Sequence, residues 1–329
     1  MSAALLRLLA ALLLLASFCR AEPLPGFYHR VSRVLWVVQH LDQALAAWEQ
    51  LGMESVHAYG TVTLREQYRG RDLLVPVRLA TAHLGSLTVD MLEPSSTPDA
   101  FSAFLAQQGE GIMAIVHEVE SSAVTAREIA RLHTAGVEVL TSFTMPRDGA
   151  SVSFTLLATG EKGKYVLGLL HWPGGAPANT SSVAISHIGP VIRDAAPVSA
   201  FWTRFGFPPL TLSHASPRYD SRYRAQPLLL DFDVAWQRHT QFTLEWIVPP
   251  SAPPNIYADF LKLHGEGIQH LGMPVDDLPA SIERCRRLGY PVWQSGAWGE
   301  VGRPNSGQYA YLDTDRVGGV SLELIHAYK

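Results

Sequence analysis

The sequence predicts an α+β fold built from four repeated β-α-β-β-β units in two halves. Three observations carry this. Four stretches share one shape, an apolar strand, a polar turn, an amphipathic helix and a glycine: RVLWVVQHLDQALAAWEQLGM, AIVHEVESSAVTAREIARLHTAGV, HIGPVIRDAAPVSAFWTRFGF and HLGMPVDDLPASIERCRRLGY. Each is followed by strand-like runs, the last of them strongly apolar: SLTVDMLEP, YVLGLLHWP, QFTLEWIVPP and GGVSLELIH. The stretch HWPGGAPANTSS, 171–182, is rich in Gly, Pro and small polar residues, as a linker is, and divides the units two and two.

In chain order, residues 1–21 come first. Arg7 is followed by an apolar run from Leu8 to Phe18 and by Cys19-Arg20-Ala21. A short apolar run ending in small residues at the two positions a signal peptidase reads is a secretory leader, with the mature chain starting near Glu22. The run falls short of the ~20 residues a membrane span needs, and no later segment supplies one. The expected protein is therefore exported, periplasmic or secreted, with an N-terminal pair of units at 22–171, a linker at 172–182 and a C-terminal pair at 183–329. The units begin at Arg33, Ala114, His187 and His270, and their helices stop at Gly52, Gly136, Gly206 and Gly289. Glycine ends a helix because it enters the left-handed conformation without steric cost.

The 329 residues exceed one small core, and 47% hydrophobic against 17% charged residues describe a globular body. Without Arg7 and Arg20, the 26 basic residues become 24 against 30 acidic ones, so the mature net charge is −6 and nothing suggests a nucleic-acid partner. Loss of Cys19 leaves Cys285 alone, within the helical pattern SIERCRRLGY, where it reads as a small buried apolar residue. No intramolecular disulfide then supports the exported chain.

The last strand of each unit carries a residue at a comparable place: Asp90, Gly168, Glu245 and Glu323. Paired with the unit markers, the second half reads His187, Glu245, His270, Glu323. The first half reads Arg33, Asp90, Ala114, Gly168, with one carboxylate and no imidazole. Two imidazoles and two carboxylates suit Ni²⁺, Zn²⁺, Co²⁺, Mn²⁺ or Fe²⁺, so a metal is expected in the second half and none in the first. Alternation places Gln241, Thr243 and Glu245 on one strand face and Ser321 with Glu323 on another. Gly189 and Gly272 continue the histidine faces, and their small size is read as room for a bound molecule. His117-Glu118 lies in the half without ligands; His239, His264 and His326 flank strands and read as solvated or supporting residues. Asn179-Thr180-Ser181 is a glycosylation sequon, meaningful only in a eukaryotic secretory pathway. The loop 299–314 offers Arg303, Asn305, Tyr309 and Tyr311, either as a substrate clamp beside Glu323 or as an ordinary hairpin connection.

This pattern, strongest in SHIGPVIRD, QFTLEWIVPP, GEGIQHLGMPVDDL and GGVSLELIH, resembles the vicinal oxygen chelate superfamily, the glyoxalase/bleomycin-resistance/dioxygenase fold. The resemblance implies that each pair of units forms a cupped mixed sheet with helices outside, and that His187, Glu245, His270 and Glu323 hold a metal inside the second cup. Two enzymatic readings follow. A full His/Glu/His/Glu set looks like glyoxalase I or an epimerase, with Glu323 or Glu245 as base in a metal-stabilised proton transfer on a small oxygen-rich substrate; export counts against glutathione or coenzyme A thioesters. The four-module layout and GEGIQH look like extradiol or hydroxyphenylpyruvate dioxygenases, with His187, His270 and Glu323 on Fe²⁺. A metal-free small-molecule binding protein is the third reading. Four modules complete the paired sites within one chain, so a monomer or loose dimer is expected.

Overall fold

The computed structural model describes residues 23–31, 33–215 and 221–329; the leader expected at 1–21 lies outside the described residues. The first unit runs β1 (Arg33–Val37), α1 (Leu41–Gln50), β2 (Met53–Tyr68), β3 (Arg71–Leu84) and β4 (Leu87–Pro94). A linking helix, α2 (Ala100–Gln108), leads to β5 (Gly111–Val119), α3 (Ser122–Thr134), β6 (Val139–Arg147), β7 (Ala150–Leu157), the short α4 (Gly160–Gly163) and β8 (Val166–His171). The third unit comprises β9 (His187–Val191), α5 (Ala195–Thr203), β10 (Thr211–Ala215), the small strands β11 (Arg222–Tyr223) and β12 (Gln226–Pro227), β13 (Phe232–Arg238) and β14 (Thr243–Val248). After the linking helix α6 (Ile256–Leu263) come β15 (Gly267–Pro274), α7 (Leu278–Arg287), β16 (Val292–Trp298), β17 (Ser306–Leu312) and β18 (Ser321–Tyr328). Among the described residues no helix is long and apolar enough to cross a membrane.

Local signals in the sequence place the helices. Ser121, Asp194 and Asp277 cap α3, α5 and α7, each side chain accepting from a backbone N–H in the first turn. Gly52, Gly136, Gly206 and Gly289, just past the four unit helices, take φ values from +83° to +109°, as a left-handed helix stop requires.

Both halves share one topology. The first strand of each pair lies parallel to the last strand of its own unit and antiparallel to the first strand of the next: β1 with β4 and β5, β9 with β14 and β15. Beyond that the halves diverge. The first closes into a barrel of eight strands, a step past the expected cup, while the second stays an open sheet of ten. Strand length explains the difference. The 16-residue β2 and 14-residue β3 form a hairpin long enough for Arg65–Tyr68 to reach Thr141–Thr144 on β6. The equivalent β10 has five residues, and the other edge is taken by the β11–β12 hairpin, which pairs with β16. The barrel interior is filled by apolar side chains, among them Leu64, Val77, Phe143, Phe154 and Leu170. The open cup keeps a cavity.

The helices pack on the backs of both sheets in one continuous core that includes Trp48, Leu132, Trp202 and Cys285. The linker after β8 is tied down too: Asn179 donates from its amide to Gly85 O at 2.9 Å and accepts from Ser181 N. The sequon side chain is thereby engaged in the fold.

Two ionisable features lie inside this structure. In the barrel, Asp90 accepts from Arg33 at 2.6 Å, Arg147 at 3.0 Å and Thr81 at 2.6 Å, with all three ionic side chains buried. Burial raises the Asp90 pKa, but the Arg147 and Arg33 guanidiniums more than offset it and hold the carboxyl at about 2. Between the halves, His117 donates from Nδ1 to Arg30 O at 2.8 Å while its Nε2 has no partner. His239 stacks on Phe242 with both ring nitrogens unpartnered. The sequence reading of His239 as solvated or supporting is therefore corrected: it is an interior ring beside a phenylalanine. Burial pushes His117 down to about 4; burial, then the neighbouring His117 and His29, push His239 to about 3.

Two outcomes are expected. Asp90→Asn leaves two interior guanidiniums facing each other and lowers the unfolding free energy by about 3–5 kcal/mol in urea titrations; a loss under about 1 kcal/mol would show that the triad does not hold the barrel. In the unfolded chain histidine titrates near about 6.5. The stability tied to neutral His117 is then complete above that pH and is lost as the pH falls through about 4, a loss on the order of 3 kcal/mol. His117→Gln should flatten that slope, and an unchanged slope would assign the acid sensitivity elsewhere.

Candidate metal centre

Four strands of the second half bring one side chain each to a common point. His187 opens β9, Glu245 sits in β14, His270 in β15 and Glu323 in β18. These strands are neighbours in the order β14-β9-β15-β18, so their inward faces form one patch on the cup floor. Period-two alternation puts Leu244, Trp246, Leu322 and Leu324 on the opposite face, in the helix-backed core.

The donor atoms lie close together. His187 Nε2 is 2.9 Å from both Glu245 Oε2 and Glu323 Oε2. His270 Nε2 is 3.2 Å from Glu245 Oε2, 3.7 Å from Glu323 Oε2 and 3.1 Å from His187 Nε2. All four ligand atoms fall within 4.8 Å of one another. Donors each at ~2.0–2.2 Å from one ion are separated from one another by about 3.0–3.5 Å, so these separations fit a single divalent ion. Two observations strengthen the fit. Glu323 Oε2 is buried without a hydrogen-bond partner although it points at the cluster. His270 donates from Nδ1 to Gln269 Oε1 at 2.8 Å, which leaves the Nε2 lone pair facing the centre. His187 Nδ1 lies 3.3 Å from Ser186 Oγ.

Electrostatics points the same way. Burial lowers the His187 pKa, but the Glu245 and Glu323 carboxylates overcome it and push it up to about 10. Burial raises Glu245, and His187 followed by His270 more than reverse this, leaving it well below the usual carboxylate range. Two interior carboxylates at one point demand a cation, and a proton on His187 is the substitute the chain itself can supply.

Gly189 and Gly272 serve a different purpose from the one read in the sequence. A Cβ at Gly189 would stand 1.8 Å from His270 Cε1, and one at Gly272 would stand 2.5 Å from His187 Cε1. The space beside each histidine is filled by the other histidine. Room for a ligand lies above them, in a cavity of about 800 Å³ lined by Trp236, Tyr257, Tyr309 and Tyr311 together with His187, Glu245 and Glu323.

The loop residues separate into two groups. Tyr309 and Tyr311 lie on β17 and line the cavity, with Tyr311 paired in register to Glu323. Arg303 and Asn305 sit in the exposed turn before β17 and are not among the lining residues. The Tyr257 and Tyr311 hydroxyls share a hydrogen bond of 3.1 Å at the cavity wall. Burial, then Glu323 and Glu245, keep the Tyr309 hydroxyl protonated. Among the described residues, no lysine or arginine lines the cavity.

Sequence reasoning missed Gln269, Trp236 and Tyr257. Gln269 was legible in part, since it adjoins His270. The β9–β15 register shifts there, which lets consecutive side chains lie side by side. Trp236 faces Glu245 across the β13–β14 ladder, and Tyr257 arrives from a linking helix, so only the pairing itself reveals them.

In the first half the matched positions hold the Arg33–Asp90 ion pair, Ala114 and Gly168. A Cβ at Gly168 would stand 2.8 Å from Val116 Cγ2, so apolar packing occupies that point.

Residues 186–311 match the Glyoxalase/Bleomycin resistance protein/Dioxygenase superfamily, a span that includes His187, Glu245 and His270 and stops before Glu323. No curated protein matches the chain by sequence. A triple mutant of 4-hydroxymandelate synthase from Streptomyces coelicolor is similar over 91% of this chain and 93% of its own, at 14% identity and a TM-score of 0.61. The Mn(II)-bound glyoxalase from Novosphingobium aromaticivorans is similar over 92% of this chain and 83% of its own, at 13% identity and a TM-score of 0.47. The first likeness extends the shared fold across both halves, and the superfamily match falls on the half that gathers the four donors. Residues 186–311, the greater part of the second half, thus match the vicinal oxygen chelate superfamily, and the fold is shared across both halves.

Proposed function

We propose that this chain is a metal-dependent lyase or isomerase of glyoxalase or epimerase type, acting on a small oxygen-rich substrate by proton transfer. The observation that carries this reading is the position of Glu245. Its Oε2 lies within 3.2 Å of both imidazole nitrogens, so it completes a four-donor set rather than standing apart from a three-donor one. A divalent ion held by His187, Glu245, His270 and Glu323, whether nickel, zinc, cobalt, manganese or ferrous iron, would act as a Lewis acid toward two vicinal oxygens of the substrate.

The chain supplies the rest. Glu245 is the more open carboxylate, its side chain 13% exposed against 6% for Glu323. It faces the cavity and is suited to take a proton from a carbon next to a carbonyl. Glu323 remains the fixed ligand beneath. Tyr309 and Tyr311 offer hydroxyl donors to developing negative charge on substrate oxygen. Trp236 and Tyr257 supply ring walls that exclude water. A wall without lysine or arginine among the described residues favours a substrate that meets the site through oxygens and apolar surface. The leader read at residues 1–21 makes the enzyme an exported one, and the in-chain pairing of modules makes a monomer or loose dimer sufficient.

A second reading, oxygenation at ferrous iron held by His187, His270 and Glu323, draws on the four-module architecture shared with the 4-hydroxymandelate synthase. Metal analysis and one variant separate the two. The expected result is bound nickel, zinc or cobalt, with deuterium exchange next to the carbonyl of small hydroxycarbonyl compounds and no oxygen uptake. Glu245→Gln should slow that exchange by about 10²–10⁴-fold. Bound ferrous iron with substrate-dependent oxygen uptake that survives Glu245→Gln would overturn the proposal in favour of the second reading.

A further inference from the structure

The two halves grip one another through a duplicated device. Glu110 and Glu266 occupy the same place in the repeated stretches GEGI, 109–112 and 265–268. One oxygen of each holds the turn after the first strand of its own half: Gln39 N donates to Glu110 Oε1 at 2.6 Å, Arg193 N to Glu266 Oε1 at 2.9 Å. The other oxygen reaches the opposite half, Glu110 Oε2 accepting from Gly318 N at 3.1 Å and Glu266 Oε2 from Lys164 Nζ at 2.7 Å. Trp48 and Trp202, each fifteen residues past its unit's first residue, repeat the exchange. Trp48 Nε1 donates to Val317 O at 2.7 Å and Trp202 Nε1 to Gly163 O at 3.1 Å.

The gripped segments, 314–320 and 159–165, lead into β18 and β8. Each is closed by a threonine, Thr314 to Val320 O with Leu322 N returning to its hydroxyl, Thr159 to Tyr165 O with Leu167 N returning. The grip is nevertheless unequal. Trp36 adds a bond to Gly318 O at 2.6 Å, and its counterpart Pro190 has no such donor. His264, of the second half itself, bridges the two, with Nδ1 2.7 Å from Gln108 O of the first half and Nε2 3.3 Å from Asp315. Gly319, at φ +70°, lies so close that a Cβ would meet Glu110 O at 1.9 Å. The consequences differ as well: β8 delivers Gly168, whereas β18 delivers Glu323, one residue after the Leu322 N–H that Thr314 fixes.

We infer that the N-terminal half is the positioning device of the candidate metal centre, with Trp36, Trp48 and Glu110 as positioning residues that set the start of β18 and hence the place of Glu323. This rests on the metal reading given above. Glu323 is the third residue of its strand, where fraying would otherwise loosen it. Outer partners of a ligand set affinity by fixing its geometry.

Cobalt(II) is the probe, with affinity measured by chelator competition on the full chain and its visible absorption recorded. Trp48→Phe and Glu110→Gln are expected to weaken cobalt binding by about tenfold or more and to broaden the absorption band. Trp202→Phe, which breaks the mirror bond, should lower the urea midpoint comparably yet leave cobalt affinity within about twofold of the unaltered chain. Equal weakening by both tryptophan variants, or by neither, overturns the inference. Should Glu110→Gln not fold, the tryptophan pair still decides. Failure of the unaltered chain to bind cobalt through the four donors overturns the metal reading, and the inference with it.

Discussion

Two imidazoles reach one point because each faces a glycine across the antiparallel β9–β15 ladder, His270 opposite Gly189 and His187 opposite Gly272. Directly opposed side chains in such a ladder compete for the same few ångströms. A methyl group at Gly189 would stand inside the His270 ring, and one at Gly272 would clash with the His187 ring at 2.5 Å. The carboxylates then complete the ring of donors from the flanking parallel strands, where the ladders β9–β14 and β15–β18 fix how far Glu245 and Glu323 lie from the imidazoles. The centre is therefore a property of strand register. A slip of one residue on any of the four strands turns its donor toward the helices.

The same topology in the first half shows what becomes of that point under different side chains. Arg33 replaces the first imidazole and brings its own positive charge to Asp90, while Arg147 enters from β6 and both guanidiniums lie near the Trp172 ring. An internal cation takes the place of an external one. Barrel closure follows the same direction: a filled interior has no use for an opening, and the long β2–β3 hairpin seals it. The short β10 in the second half leaves the cup open.

Much of this was legible in the sequence because it depended on short-range spacing. Four strand–helix–glycine units, the apolar last strands and the four donors recur at nearly constant intervals, and period-two alternation assigned the donors to one face. Barrel closure was not legible, since it depends on whether β2 is long enough to touch β6, a comparison between segments far apart in the chain. The role of Gly189 and Gly272 was read from one strand at a time, which suggested empty space; only the cross-strand pairing shows an imidazole there. Arg303 and Asn305 were grouped with Tyr309 and Tyr311 by proximity in sequence, yet the turn at Asn305, with φ +64°, separates a solvent-facing pair from two tyrosines carried inward by β17. Gln269, Trp236 and Tyr257 came to the site through a bulge, a ladder and a linking helix, none of which leaves a compositional mark.

Duplication explains how a chain can keep a half in which the described residues gather no ligand set. The GEGI carboxylates and the paired tryptophans are placed by the repeat itself, so each half inherits a grip on the other. In the grip the symmetry is broken by Trp36 against Pro190, and in the strand it feeds by Glu323 against Gly168. The half without the four donors still bears, through its grip, on the last donor strand of the other. That half is a closed barrel filled by apolar side chains, with the Asp90 charge satisfied by Arg33 and Arg147, and it presents a packed body against which the strand is anchored. The first half thus contributes to the centre by being full.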